Sequence, residues 1–210
     1  KISKGSMQLI NEELADKILN NIENPSIISG GSAANTAVGF QSFGGKCSFI
    51  GQIGNDQFGE LFSRDLNNSG VSFKDLGYEI SEKTSKSIIL ITPDAERSMN
   101  TFIGASNKFN LNSIDDLIIS RSNMIYIEGY LFDQPKAKEA IYYCCNLAKS
   151  YNKKVALSLS DLFCVDRHRN DFLNLIDKYV DIIFANEAEI KSLYQSELKE
   201  SINNIKNNVD

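Results

Sequence analysis

Between residues 124 and 194 the chain alternates short, almost continuously apolar runs with longer segments of helical spacing. Residues 124–128, 154–159 and 181–185 read as strands; 133–151, Asp166 or Asn170 to 179, and 187–194 read as helices. Runs such as Val155-Ala156-Leu157 and Ile182-Ile183-Phe184 lack the alternate polar positions of a strand with one wet face. They are therefore expected in a parallel sheet with helices on both sides. Strand–helix alternation of this length constrains the chain to the α/β class.

The earlier part of the chain is less regular. Residues 4–10 read as a short strand or arm. Asn11-Glu12-Glu13 caps a helix to about residue 21, with Leu14, Ile18 and Ile22 on one face. Residues 26–29 read as a brief apolar strand feeding Gly30-Gly31-Ser32-Ala33-Ala34-Asn35, from which a helix of small residues runs to residue 43. Glycines permit a tight turn, and a helix start presents N–H groups and partial positive charge, a combination suited to hydroxyl oxygens or anions. Residues 46–51 read as a strand, and Asp56 opens a helix to residue 69 that stops at Gly70. Around Pro93-Asp94-Ala95-Glu96, residues 87–92 and 98–103 form an expected antiparallel hairpin. Residues 113–120 and 197–208 read as helices.

Charge and composition narrow the function. A net charge of −5 and the absence of a Lys/Arg run disfavour a nucleic-acid partner. No apolar run approaches the roughly 18–20 residues of a membrane span, so no membrane partner is expected either. Cys47, Cys144, Cys145 and Cys164 form no C-x-x-C pair and read as free thiols of a cytoplasmic protein. The Gly30 loop does not fit G-x-G-x-x-G, and Gly45-Lys46-Cys47 misses a phosphate loop because Phe40 stands where its first glycine belongs. His168, the single histidine, lies between Arg167 and Arg169; it excludes histidine triads and reads as a solvated residue at a helix start.

Three further positions could carry chemistry. Asn186 and Glu189 follow a strand at the carboxyl edge where α/β sheets bind ligands, and three-residue spacing places them on one face of a first turn. They either cap the helix or hold hydrated Mg²⁺ and phosphate oxygens. Arg97 is either a surface charge or a group that a moving hairpin brings to a phosphate. Glu128, at a strand end before Gly129, is either solvated or an acceptor for substrate hydroxyls.

The Gly30–Asn35 loop, the glycines Gly51, Gly54 and Gly59 around Asp56, and Asn186-Glu187-Ala188-Glu189 occur in one order that resembles the ribokinase-like (phosphofructokinase-B) family of carbohydrate and nucleoside kinases. Arg97-Ser98, Glu128-Gly129-Tyr130-Leu131 and the run from Val180 to Glu187 resemble its adenosine-kinase branch most, with ribokinase and fructokinase types second. The resemblance implies a three-layer Rossmann-like domain plus a small β-sheet lid. Residues 1–30 and 71–107 would form the lid region, with an inserted helix at about 11–21; residues 31–70 and 108–210 would form the core. It implies ATP-dependent phosphorylation of a sugar hydroxyl. Gly30, Gly31, Asn35 and Glu128 would bind the acceptor, Arg97 would stabilise phosphate, and Asn186 and Glu189 would organise ATP, with Glu189 reaching Mg²⁺ through water.

The same resemblance implies a monomer, or a homodimer through the lid. It also implies an acidic residue on a strand before Lys1 and a Gly-Ala-Gly-Asp-type loop supplying the catalytic base; neither occurs in these 210 residues. The chain is accordingly expected to be a fragment, incomplete at both ends, inactive alone and exposing strand edges. A non-catalytic sugar- or nucleoside-binding relative is the alternative.

Overall fold

The computed structural model describes residues 4–73 and 81–206. Two compact units divide the chain, residues 1–109 and 110–210.

In the first unit, β1 (Met7–Leu9) leads through the Asn11 cap into α1 (Glu12–Leu19). After an extended passage come α2 (Ser32–Ser42), β2 (Ser48–Phe49), α3 (Gln57–Asn68) and β3 (Ser72–Phe73). The hairpin β4 (Lys86–Ile91) and β5 (Arg97–Phe102) follows, turned at Ala95 with φ +64°. The sheet order is β1-β5-β4, with β1 parallel and β4 antiparallel to β5. Ala15 of α1 is buried with Ile88 and Phe102, with Ile18 and Leu19 packed around them, so the helix covers one sheet face. Across that face the fully buried Asn100 accepts from Gln8 Nε2 at 2.7 Å and donates to the Ile88 carbonyl at 3.3 Å. Because side chains alternate along a strand, the opposite face carries Met7, Leu9, Ile89, Ile91 and Met99, all exposed.

Two strand expectations fail here, and for one reason. Residues 26–29 form no strand, and Ile27 and Ile28 lie exposed; residues 46–51 contract to Ser48–Phe49. An apolar run becomes a strand only where a neighbour supplies the ladder, and β2 finds just two paired positions, on β3. Among the described residues β3 pairs with β2 and not with the β1-β5-β4 sheet; residues 74–80 lie outside the described ones. Phe49, Phe62 and Phe73 meet edge-on, each pair 5.7 Å apart, beside Ala34, Ala37, Leu66 and Val71.

The second unit begins with a 3₁₀ turn at Leu111–Ser113 and α4 (Asp116–Arg121). The single helix expected at 113–120 is split because Asn110 and Asp115 each cap a separate start. Next come β6 (Met124–Glu128), a 3₁₀ turn (Gly129–Asp133), α5 (Pro135–Ser150), β7 (Lys154–Ser158) and α6 (Leu162–Lys178). The chain continues into β8 (Ile182–Phe184), α7 (Glu187–Tyr194) and α8 (Leu198–Lys206); residues 207 and 208 of the helix expected to end there are outside the described ones. β6, β7 and β8 are neighbours in that order and all parallel, as the apolar runs imply. Val155, Leu157, Val165, Phe172 and Leu175 are fully buried. α6 starts earlier than its apolar spacing suggests because Asp161 accepts the Cys164 N–H at 2.7 Å, and it is broken at His168 (φ −120°, ψ 22°).

Candidate active site

In the first unit Gly31 is the N-cap of α2 with φ +109°, ψ 140°, a backbone that glycine adopts without strain. No side chain caps this helix, and a Cβ at Gly30 or Gly31 would meet nothing within 4 Å. The start of α2 is thus open. Ala34 and Ala37 face the core while Asn35 is exposed one turn past Gly31, its N–H bonded to the Gly31 carbonyl at 2.8 Å. Arg97 opens β5 opposite Ile91; it is exposed, on the uncovered sheet face, and in no ion pair among the described residues.

The glycines around Asp56 answer to packing. A Cβ on Gly54 would lie 2.4 Å from the Glu82 carbonyl oxygen, and one on Gly59 2.3 Å from that of Gly54. Asp56 accepts from Gly59 N–H (2.9 Å), Thr84 N–H (2.9 Å) and Thr84 Oγ1 (2.6 Å). Burial alone would raise its pKa, but these donors outweigh burial and hold the carboxyl below its ordinary value.

In the second unit the carboxyl ends of β6, β7 and β8 bring Glu128, Ser158 and Phe184 into one register row. Glu128 is 7% exposed, which disposes of the solvated reading. Tyr126, two residues back on the same strand face, donates to Glu128 Oε1 at 3.2 Å and meets the Phe184 ring edge-on at 5.9 Å. Gly129 admits the chain where a Cβ would lie 2.9 Å from the Leu159 carbonyl oxygen. Beyond it, Tyr130 N–H donates to Ser160 Oγ and its hydroxyl to the Ser160 carbonyl, both at 3.3 Å; Ser160 itself has φ +73°. Burial first, and Asp161 second, push the Tyr130 phenol up to about 12. Tyr130, in the turn after β6, and Phe163, in the first turn of α6, nevertheless keep exposed aromatic surface.

Asn186 and Glu189 meet as a capping box. Asn186 Oδ1 accepts the Glu189 N–H at 3.0 Å, and Glu189 accepts the Asn186 N–H at 3.1 Å and Asn186 Nδ2 at 2.7 Å. The cap and a ligand role are compatible, since each carboxylate oxygen has a further lone pair. Among the described residues no group of three or more His, Cys, Asp or Glu could hold a metal. A cation that keeps most of its waters fits this donor set; a fully protein-ligated one does not.

Sequence reading missed Tyr126, Tyr130, Ser160 and the surroundings of His168. The His168 side chain is only 14% exposed, with Nε2 2.7 Å from Asp133 Oδ1 and the ring inside a helix rather than at its start. Three consecutive basic-type residues within an amphipathic helix were the available signal.

The pfkB family carbohydrate kinase domain matches residues 5–209. A 5-dehydro-2-deoxygluconokinase of Clostridium botulinum is 27% identical over 183 residues, covering 81% of this chain and 52% of that protein. A probable chloroplastic fructokinase-6 of Arabidopsis thaliana is 26% identical over 176 residues, covering 80% and 45%. Among solved structures, the adenosine kinase from Sinorhizobium meliloti aligns with a TM-score of 0.88 at 37% identity, covering 99% of this chain and 64% of that one. A probable sugar kinase from Rhizobium etli CFN 42 aligns equally well at 38% identity, with the same coverage. The chain spans about half the length of the curated relatives it matches and under two thirds of these solved structures. With almost every residue matched and the α/β architecture shared, the chain belongs to the pfkB family of carbohydrate kinases.

Proposed function

We propose that the protein carrying this chain transfers the γ-phosphoryl group of ATP to a sugar hydroxyl, with a purine nucleoside such as adenosine as acceptor. The observation that carries the nucleoside over a simple sugar is that the exposed Tyr130 ring follows the buried Glu128 by two residues, just past the carboxyl end of β6. Flat aromatic faces suit a base, and a carboxylate suits hydroxyls. A fructose-like acceptor is the second reading, favoured by the names of the curated relatives.

In this reading the open start of α2 and the Asn35 amide bind sugar hydroxyls, Glu128 accepts from a hydroxyl, and Arg97 meets phosphate. Asn186 and Glu189 orient the nucleotide, Glu189 through water. Mg²⁺, when bound with ATP, neutralises phosphate charge. The β1-β5-β4 sheet serves as the lid, and residues 31–70 with 108–210 as the core. The protein works in the cytoplasm as a monomer or a homodimer through the lid. The test is a coupled assay of the full-length gene product with adenosine, ribose and fructose. Turnover highest with adenosine is expected; turnover of fructose alone favours the second reading, and binding without turnover of any acceptor favours a non-catalytic relative.

A further inference from the structure

Arg167, His168 and Arg169 are consecutive, yet they reach two different elements. The Arg167 guanidinium grips Asp133 through Nε at 3.0 Å and Nη2 at 2.9 Å, the two-pronged geometry that fixes a carboxylate in both position and orientation. His168 Nε2 reaches the same Asp133 Oδ1 at 2.7 Å. Neighbours on a regular helix diverge by about 100°, so two of them can converge on one carboxylate only because the helix is broken at His168. Asp133 ends the 3₁₀ turn that leaves Glu128. On the other side, Arg169 Nε donates to the Ser192 carbonyl at 3.0 Å, in the last turn of α7. With its amide turned to meet these donors, Gln195 Oε1 accepts from Arg169 Nη1 at 2.9 Å and Nη2 at 3.1 Å. Asp166 bonds the Ser192 hydroxyl as well. α7 is the helix whose first turn is the Asn186–Glu189 box.

We infer that Arg167-His168-Arg169 is a brace that holds the Glu128 strand end and the Asn186–Glu189 helix in fixed register, Arg167 positioning the first and Arg169 the second. This rests on the kinase reading, in which Glu128 serves the acceptor and α7 serves ATP. A guanidinium is needed at both places. Lysine keeps the charge but loses the fork to Asp133 and the simultaneous bonds to Ser192 and Gln195.

Initial-rate kinetics of Arg167→Lys and Arg169→Lys in the full-length gene product, varying acceptor and MgATP separately, test it. Arg167→Lys raises the acceptor KM roughly tenfold and leaves the MgATP KM within about twofold; Arg169→Lys does the reverse. Asp133→Asn, which keeps the shape and weakens the grip, reproduces the Arg167→Lys pattern and serves if that variant does not fold. Equal changes in both constants, or none in folded variants, overturn the brace while leaving the kinase reading intact. A wild-type protein that phosphorylates no acceptor overturns both.

Discussion

Gly30 and Gly31 are neighbours with opposite demands. Only Gly31 has φ in the left-handed region, at +109°, while neither position has a neighbour that a methyl group would strike. Gly31→Ala therefore carries backbone strain of about 1–3 kcal/mol with no clash. Gly30→Ala leaves stability nearly unchanged but narrows the open start of α2. Urea melts should separate the two variants, and acceptor titrations should weaken for both. Asn35 makes a cleaner probe because its side chain is exposed and its N–H already serves the helix. In the proposed site, Asn35→Ala removes one hydrogen-bond partner of the acceptor, about 1–3 kcal/mol of binding, and leaves ATP affinity intact. Isothermal titration with each ligand reads this directly; equal losses for both would remove the loop from the acceptor side.

At the scale of elements, the Asp56 cap shows what spacing can and cannot reveal. Gly54 and Gly59 beside it belong to the ordered family pattern, but the nearest atoms crowding them are backbone carbonyl oxygens, and the Asp56 carboxylate is filled by Gly59 and Thr84. Thr84 lies 28 residues away, so no local rule could pair them. β6 and α7, by contrast, match their expected bounds, because apolar continuity and an Asn-x-x-Glu cap are local signals. The failed strand at 26–29 and the shortened β2 depended on partners, which are not local. Asp56→Ala should cost about 0.5–2 kcal/mol for the cap, plus the lost Thr84 ties. The pH dependence has a definite sign. Its folded pKa lies below the ordinary aspartate value of 3.8, so its stabilisation is full above that value and is lost as pH falls through the folded pKa. Denaturant midpoints of wild type and Asp56→Ala should thus be well separated near neutrality and converge in acid.

Across the whole chain, four thiols report on two separately packed regions. Cys47 belongs to the first unit; Cys144, Cys145 and Cys164 belong to the second. The absence of a C-x-x-C pair in the sequence could say only that they are unpaired, whereas the depth of each thiol follows from tertiary packing. Cys145, on the α5 face that also bears Ala137, Ala140, Ile141 and Ala148, and Cys164 of α6 are fully buried. Burial raises the Cys47 thiol and pushes those of Cys144, Cys145 and Cys164 up to about 12. Since the thiolate is the reactive species, native protein near pH 8 should leave Cys145 and Cys164 unlabelled by iodoacetamide, with the less buried Cys47 reacting first. Rising urea should then expose Cys145 and Cys164 together, because both are fully buried within the second compact unit. Mass spectrometry of digests across the urea series assigns each label. Labelling of Cys145 without Cys164 at intermediate urea would mean that α5 detaches before α6, and that the second unit does not open as a single cooperative body.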